Sequence, residues 1–517
     1  IAIPKLHCMR LLFLITVISL MISCSPREEA DERINILFIM TDQHRGDCLG
    51  SAGADWLETP NLDALANEGV LFSNAYTSVP SCLPARAAIL SGKSPWAHGM
   101  LGYYPIPERY AFELPRMFTD AGYRTHAVGK NHFNPIRNTH GYETVLLEEG
   151  WHSVIESEGK CDYQLWFEKI APEKDMNATG LHYTDHRGGR AFMYADSLHP
   201  SYWTAQRAVD FLETYDEGRP WLLKVSFQRP HPPFDPPQRW QDHYANVNYP
   251  MPQVGSWAEE KYGDMTGSLE VSTNATLGKF PEEEIRESRQ SYYAAISFVD
   301  EQVGRVIEAL KQRGELDHTL IIFTADHGDM MGDQHMWRKC KPYEGSVNIP
   351  MIMRWPGSLS IQAERGQIRE ELVELRDVLP TFLDAASLQK PEEMDGASML
   401  DVLRDKPWRN ELDLEHSLIY EPDNAWTCLT DGTHKYIYFT LTGEQQLFDL
   451  ANDPHELIDL AKDSEQLELL SEWRSRMIEH LSIRGERWVK DGELTVQEES
   501  QKYSPSDPRY ESENLNL

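Results

Sequence analysis

Apolar residues form several short, nearly continuous runs along the chain. The clearest covers residues 34–40 and ends in the polar sequence Thr41-Asp42-Gln43. Similar runs cover residues 123–129, 221–227, 319–324 and 349–354. Runs of this length without alternation are typical of strands that are buried on both faces of a parallel sheet. We therefore predict such a sheet, with ligands beyond the carboxyl ends of its strands.

Segments with apolar residues at helical spacing separate these runs. The longest predicted helix covers residues 281–313, and the acids in its first turn complement the helix dipole. Shorter helices are predicted from residue 60 and over residues 112–121, 202–215 and 372–386, the last with a break or kink at Pro380. Strands that alternate with helices indicate an α/β fold, with a large mixed, mostly parallel sheet sandwiched by helices.

The pattern changes near Trp408. A small antiparallel sheet is predicted from alternating segments at residues 417–420, 427–430, 435–440 and 446–450, followed by a helix over 464–481. We therefore divide the mature chain into a main domain (34–405), a C-terminal α+β subdomain (406–495) and a polar tail (496–517), which we expect to be frayed.

Two stretches of the main domain lack periodicity. We interpret residues 134–205 as a loop-rich insertion that lines a substrate pocket, since binding residues often lie on loops over a rigid scaffold. Residues 250–280 are rich in Gly, Pro and Ser and are predicted to be a long surface loop.

Residues 1–23 have the pattern of an export signal. Met9, which we take as the true start, precedes an apolar run that is too short to span a membrane. The sequence ending at Cys24 resembles a bacterial lipobox and predicts a lipid anchor there, with an ordinary signal peptide as the alternative. Residues 24–33 would then form an acidic tether, and the protein would lie in the periplasm or at the cell surface.

The composition limits the possible partners. The chain has 517 residues and a formal net charge of −33, which argues against nucleic acids and leaves a lipid anchor as the only expected contact with membranes. A site for an anionic substrate would have to be locally basic. The seven cysteines show no dense pairing pattern, so we predict no disulfide framework, with a single disulfide bond as the alternative.

The segment Cys82-Leu83-Pro84-Ala85-Arg86 begins a short apolar helix. Proline is tolerated in a first helical turn, where the N–H groups have no intrahelical partner. Those N–H groups and the helix dipole favour an anion beside Cys82, and Arg86 adds positive charge one turn later. A buried cysteine that only caps a core helix is the alternative.

This segment resembles the signature of the formylglycine-dependent (type I) sulfatases of the alkaline phosphatase superfamily. In that family the cysteine is oxidised to formylglycine (3-oxoalanine), whose hydrate is the nucleophile. The resemblance implies this role for Cys82, and a formylglycine-generating enzyme as a partner. It covers residues 34–461 through five separate motifs, and it implies the alkaline phosphatase-like fold.

The resemblance also implies a metal site. Asp42 and Gln43, after the first strand, would bind a divalent cation together with Cys82, Asp326 and His327. Oxygen ligands suit Ca²⁺, while the imidazole leaves Mg²⁺ or Mn²⁺ open. The family usually has Asp where this chain has Gln43 and often Asn where it has His327. From the residues alone, Asp42 would more simply be a turn or capping residue.

The remaining implied catalytic residues are basic. Arg86, Lys130 and Lys339 would bind sulfate oxygens, with Lys341 as a less favoured alternative to Lys339. By the same resemblance, His231 would protonate the leaving alcohol. His132 would act as the base that completes turnover. Without the resemblance, Lys130 and His132 would be ordinary surface residues at a strand end.

The substrate is predicted from the export signal, the anchor and one basic segment. Side chains that suit a uronate or a second sulfate are His182, His186, Arg187 and Arg190, with a solvated loop as the alternative. We therefore expect an exo-acting sulfatase on fragments of sulfated polysaccharides or glycosaminoglycans. A phosphodiesterase or phosphonate monoester hydrolase of the same superfamily, and a non-catalytic glycan-binding lipoprotein, are the alternatives.

Overall fold

The structure is a computed structural model that describes residues 33–149, 159–181, 189–265, 277–421 and 423–511. The predicted export signal and Cys24 lie outside these residues, as do His182, His186 and Arg187. Among the helices in the described ranges, none has the length and apolarity needed to cross a membrane. The five cysteines in these ranges are buried free thiols.

A mixed eight-stranded sheet lies at the centre of the main domain. Its strands are β1 (Asn35–Asp42), β2 (Val70–Phe72), β4 (Arg124–Gly129), β5 (Thr144–Leu147), β6 (Trp221–Pro230), β7 (Thr319–Ala325), β8 (Met351–Arg354) and β9 (Gln367–Arg369). Their order is β5-β4-β6-β1-β7-β8-β2-β9, and β5 through β7 in that order are parallel, whereas β8 is antiparallel to both neighbours. The predicted mixed, mostly parallel sheet is confirmed.

Helices cover both faces of this sheet. The helices in the described ranges, of which α13 belongs to the C-terminal subdomain, are α1 (Pro60–Asn67), α2 (Cys82–Ser91), α3 (Pro95–His98), α4 (Leu114–Asp120), α5 (Asp162–Ile170), α6 (Pro200–Thr214), α7 (Gln238–Tyr244), α8 (Ser256–Tyr262), α9 (Glu282–Gln312), α10 (Glu344–Val347), α11 (Val378–Ala385), α12 (Met399–Leu403) and α13 (Leu467–Ser482). Strand β1 is buried along its whole length, because Ile36 and Phe38 pack into one apolar layer while Leu37 and Ile39 pack into the other. This explains its unbroken apolar run.

The C-terminal subdomain is a four-stranded antiparallel sheet with one helix. Its strands, β11 (Leu412–His416), β12 (Trp426–Thr430), β13 (His434–Phe439) and β14 (Gln445–Asp449), pair in chain order. Trp473 and Met477 of α13 pack against one face of the sheet, whereas Trp426 and Cys428 lie in an apolar cluster with Tyr343 of the main domain. Two short pairs complete the strands, β3 (Ala75–Tyr76) with β10 (Val373–Glu374) and β15 (Val489–Lys490) with β16 (Glu493–Leu494).

Two predicted loops contain regular structure. Residues 134–205 include the edge strand β5 and helix α5, whose Phe167 is buried in the core. Residues 250–280 include α8, which buries Trp257 against the C-terminal sheet. Short helices and strands with few apolar residues give a weak periodic signal in the sequence. In these two segments the regular structure is stabilised by burial against other parts of the fold.

Three boundaries also differ from the prediction. The first strand of the C-terminal sheet is Leu412–His416 rather than residues 417–420. The predicted break or kink at Pro380 is absent. The residues before α11 form β10 and a 3-10 turn, so Pro380 lies in the first turn of the helix, where proline is tolerated. The tail is not frayed where it is described, since Tyr503 is buried and pairs with Met100.

Candidate active site

Four buried residues meet beyond the carboxyl ends of two central strands. Asp42 ends β1, while Asp326 and His327 follow β7, which pairs with β1 in parallel. Cys82 is the first residue of α2. One donor atom from each of the four side chains lies within 4.8 Å of the others. The two central strands and the helix N-terminus therefore bring the predicted nucleophile and metal residues together.

This cluster suits a divalent cation. His327 Nδ1 lies 2.9 Å from the carbonyl oxygen of Gly328, which can only accept, so the lone pair of the neutral ring is on Nε2. His327 Nε2 lies 3.4 Å from Asp42 Oδ1 and 3.6 Å from Asp326 Oδ1. Two carboxylates and an imidazole at this spacing form a donor set that divalent cations accept.

Gln43 lies beside the cluster but faces a further carboxylate. Its backbone N–H donates to Asp326 Oδ1 at 3.2 Å, and its φ angle is +68°. Its side-chain amide nitrogen donates to Asp329 Oδ2 at 2.5 Å, and Oε1 is the side-chain atom with the chemistry to ligate a cation. Sequence reasoning did not assign Asp329, although this residue stands in the same short motif as Asp326.

Three basic side chains surround the cluster. Lys339 Nζ lies 2.8 Å from Cys82 Sγ, and Lys130 Nζ lies 2.5 Å from Asp42 Oδ2. Arg86 Nη2 lies 2.8 Å from a carboxylate oxygen of the cluster. All three are almost fully buried. The site is therefore locally basic, as an anionic substrate requires in such an acidic chain.

The protonation equilibria reflect these charges. Burial and Asp42 raise the pKa of the Cys82 thiol, but Lys339, Lys130 and His327 outweigh them, so this pKa is lowered. Burial lowers the pKa of Lys339, but Cys82 and Asp42 outweigh it, so that pKa is raised. Lys339 therefore carries its positive charge at neutral pH.

The two predicted acid–base histidines lie at this edge of the sheet. His231 donates its backbone N–H to the carbonyl oxygen of Asp42 at 3.0 Å. Its Nδ1 lies 2.8 Å from the carbonyl oxygen of Pro232, so Nε2 is the nitrogen that can exchange a proton with a substrate. The pKa of His231 is well below its usual value because of burial and, to a smaller extent, Lys339 and Lys130.

His132 is held in a left-handed turn by a residue that sequence reasoning missed. Its φ angle is +56°, and its backbone N–H donates to Glu149 Oε1 at 3.0 Å. The same oxygen accepts the N–H of Asn131 at 2.8 Å. Tyr103, also missed, places its hydroxyl 3.5 Å from His132 Nε2. Neither residue lies in a recognisable motif, so the sequence carried no signal for either.

Two predicted positions can be compared with their alternatives. Lys339 is the lysine beside Cys82, whereas Lys341 forms an ion pair with Glu421. Arg190 is exposed and donates to the carbonyl oxygen of Thr179 at 2.8 Å. Arg190 also donates its backbone N–H to Phe234, three residues after His231, which brings this segment to the catalytic loop. The structure shows no bond between the Arg190 side chain and the cluster.

Comparisons with known proteins agree with this geometry. The family model described as "Sulfatase" matches residues 34–388, and the model described as "N-sulphoglucosamine sulphohydrolase, C-terminal" matches residues 332–482. An arylsulfatase of Clostridium perfringens is 37% identical over 473 residues, which cover 89% of this chain and 97% of the relative. A choline-sulfatase of Rhizobium meliloti is 32% identical, with 83% and 82% of the two chains covered.

The fold is also similar to that of solved structures. The phosphonate monoester hydrolase of Agrobacterium radiobacter superposes with a TM-score of 0.72 at 25% sequence identity. The match covers 87% of this chain and 96% of that protein. Both the sulfatase relatives and this hydrolase therefore match at least 83% of the chain.

Proposed function

Because the chain belongs to the sulfatase family, and is thus a sulfuric ester hydrolase, we propose that it removes sulfate from carbohydrates through a formylglycine at position 82. The observation that carries this proposal is the placement of Cys82. Its Sγ atom lies 2.8 Å from Lys339 Nζ and 3.2 Å from His327 Nε2, at the N-terminus of a helix. A structural core cysteine would not need a buried cation and a metal-type cluster around its sulfur.

The proposed cofactor is a divalent cation, Ca²⁺ in the first instance, with Mg²⁺ or Mn²⁺ as alternatives. Asp42, Asp326 and His327 would hold it together with residue 82, and Gln43 would contribute its Oε1 atom. When bound, such a cation acts as a Lewis acid and lowers the pKa of a hydroxyl nucleophile. The geometry of His327, with Nε2 as acceptor, supports this assignment.

Oxidation of Cys82 would supply an aldehyde hydrate, which offers one hydroxyl to attack sulfur and a second whose deprotonation releases sulfate. Lys339 and Lys130 would neutralise the sulfate oxygens, because both are charged and held in place before substrate binds. His231 would protonate the leaving alcohol from Nε2; because its pKa is lowered in the free site, Nε2 would take up this proton when the anionic substrate binds. His132 would accept the proton of the second hydroxyl. Acid–base assistance of this kind typically contributes about 10²–10⁴-fold.

Two observations and one prediction support a carbohydrate substrate and exo action. Residues 332–482, which include most of the C-terminal subdomain, match a family model whose description names an amino-sugar sulfohydrolase. Cys82 is 1% exposed, so a substrate must enter a recess, which suits the end of a chain better than its interior. The predicted export signal would give the enzyme access to polysaccharides outside the cell. Arg190, together with the three basic residues outside the described ranges, would bind the anionic groups of the sugar.

The test begins with residue 82 itself. Intact-mass measurement of its peptide should show a loss of about 18 Da relative to the thiol, as oxidation of cysteine to the aldehyde requires. Cys82→Ser should bind substrate but lose turnover, because a serine cannot release sulfate by re-forming an aldehyde. Full activity in that variant would refute the nucleophile assignment. An unmodified Cys82 without turnover would favour the non-catalytic, glycan-binding alternative.

A second candidate function is the hydrolysis of phosphate diesters or phosphonate monoesters. It is favoured by the similarity to the phosphonate monoester hydrolase and by the pairs Asp42-Gln43 and Asp326-His327, which some branches of the superfamily share. The ratio of kcat/KM for an aryl sulfate and an aryl phosphate diester separates the two. A panel of sulfated mono- and oligosaccharides would then identify the sugar and the sulfate position.

Export, the lipid anchor at Cys24 and dependence on a formylglycine-generating enzyme belong to the same proposal. Expression with and without such an enzyme should change the aldehyde content at residue 82. Incorporation of labelled fatty acid should require Cys24, and its absence in the wild-type protein would leave an ordinary signal peptide as the alternative.

A further inference from the structure

The residue before Cys82 does not use its hydroxyl in the usual way. Ser81 is the N-cap of α2 and has the extended conformation of a cap, with φ −155° and ψ 149°. A serine at this position normally accepts a hydrogen bond from the N–H of the second or third helical residue. Here the third residue is Pro84, which has no N–H, and Ser81 makes no capping bond. Its Oγ atom lies instead 2.9 Å from His416 Nε2 in the C-terminal sheet.

The direction of this bond follows from the other ring nitrogen. His416 Nδ1 lies 2.5 Å from the carbonyl oxygen of Ser417, so Nδ1 carries the proton. Burial lowers the pKa of His416 to about 4, so the ring is neutral at physiological pH. Nε2 is therefore an acceptor, and the Ser81 hydroxyl donates to it. Both side chains are buried, so water does not compete for this bond.

His416 belongs to a rigid frame that also holds the lysine loop. It ends β11 and pairs with Trp426 of β12. Trp426 Nε1 donates to the carbonyl oxygen of Cys340 at 3.0 Å, and the N–H of Cys340 donates to the carbonyl oxygen of Pro80 at 2.9 Å. The C-terminal sheet thus bonds both to the segment that leads into α2 and to the residue after Lys339.

We propose that His416 is a positioning residue for the reaction: by holding Ser81, it fixes residue 82 against Lys339. This inference rests on the proposed role of residue 82. His416 does not contact the reacting atoms, since its ring nitrogens bond to Ser81 and to Ser417. The C-terminal subdomain would therefore contribute to the chemistry.

The test compares His416→Phe with Ser81→Ala and with a matched control. Loss of one buried hydrogen bond costs about 1 kcal/mol or more, so each variant should lower kcat about 5- to 50-fold while KM for an aryl sulfate stays within about twofold. The double variant should be no slower than the slower single variant, because both remove the same bond. His416→Gln retains an acceptor oxygen and should recover part of the loss.

The control is His126→Phe. His126 is also buried, bonds to a hydroxyl, Thr144 Oγ1, at 2.5 Å, and has its pKa lowered by burial to about 4, but it lies within β4. His126→Phe should lower stability without lowering kcat. Turnover is expressed per folded, formylglycine-containing molecule, from urea unfolding and from the mass of the residue-82 peptide.

Two outcomes overturn the inference: wild-type kcat in both His416→Phe and Ser81→Ala, or losses that multiply independently in the double variant. If His416→Phe does not fold, Ser81→Ala and His416→Gln still decide, because each changes few atoms. Failure of the proposed function is recognised separately, since the wild-type protein would then lack the aldehyde or aryl sulfatase turnover.

Discussion

Replacement of Glu149 by alanine tests how His132 is held. The Glu149 carboxylate is buried and accepts the backbone N–H groups of Asn131 and His132 on Oε1, at 2.8 Å and 3.0 Å, and the N–H of His132 also lies 3.2 Å from Oε2. His132 has a φ angle of +56°, a left-handed conformation that costs a residue with a β-carbon about 1–2 kcal/mol. The two bonds offset that cost. Without them, two buried N–H groups lose their acceptor and the turn is free to relax.

The expected magnitude follows from these contacts. A hydrogen bond to an ionised group is worth about 1.5–3 kcal/mol, so two such bonds represent about 3–6 kcal/mol. The pKa of Glu149 is raised, because the effect of burial exceeds the opposing effect of the two N–H groups. Part of the hydrogen-bond energy therefore offsets the desolvation of the carboxylate. We therefore expect Glu149→Ala to lower the free energy of unfolding by about 2–4 kcal/mol. A displaced His132 should lower kcat about 100-fold, the lower end of general base catalysis.

The assay is release of the aryl alcohol from an aryl sulfate, with urea unfolding in parallel. Glu149→Gln keeps an oxygen that can accept from both N–H groups, so its kcat should stay within about tenfold of the wild type. The matched control is Asp300→Ala. Asp300 is another buried carboxylate that accepts two successive backbone N–H groups, those of Asn61 and Leu62. Asp300→Ala should lower stability but not the kcat of the folded enzyme.

Two results would refute the reasoning. Wild-type kcat in Glu149→Ala would show that His132 does not depend on this carboxylate. An equal loss of kcat in Asp300→Ala would show that turnover only follows general stability.

Three further predictions concern pH, metal and the tail. Burial raises the pKa of Asp300 from 3.8 to about 7, so the folded state binds the extra proton and stability falls by about 4 kcal/mol as pH rises through this window. Asp300→Asn should remove this dependence of stability on pH. The free energy of unfolding of both proteins is measured in urea at pH 4.5 and pH 8, and an equal change between the two pH values in both proteins would contradict the prediction. Chelation should lower both turnover and the thermal midpoint, and added Ca²⁺ should restore both; unchanged values after chelation would argue against a resident metal. A chain that ends at residue 495 loses the buried Tyr503 and should unfold at least about 2 °C lower in a thermal scan, whereas an unchanged midpoint would show that the tail does not stabilise the fold.

The apolar pattern of the sequence predicted the central sheet, and the family resemblance predicted the residues of the candidate site. A strand such as β1 must be apolar along its whole length because both of its faces are covered. The resulting apolar run can be recognised in the sequence without knowing which strands or helices pack against it. The same local pattern places Asp42 and Asp326 at strand ends, whereas their assignment as metal residues came from the resemblance to the sulfatases. For Cys82 and Arg86, the helix start with proline and a basic residue one turn later indicates a place that favours an anion, and the resemblance supplied their catalytic roles.

Tertiary structure alone decided which residues support that site. Ser81 and His416 are 335 positions apart, and Glu149 reaches His132 from the segment after β5, a strand that the sequence pattern did not predict. A single buried carboxylate or imidazole produces no periodic pattern in the sequence. Its hydrogen-bond partner depends on how distant segments pack, and the neighbouring residues do not indicate it. The physical reason is that burial on two faces repeats along a strand, whereas a supporting hydrogen bond is made once, between segments that only the fold brings together.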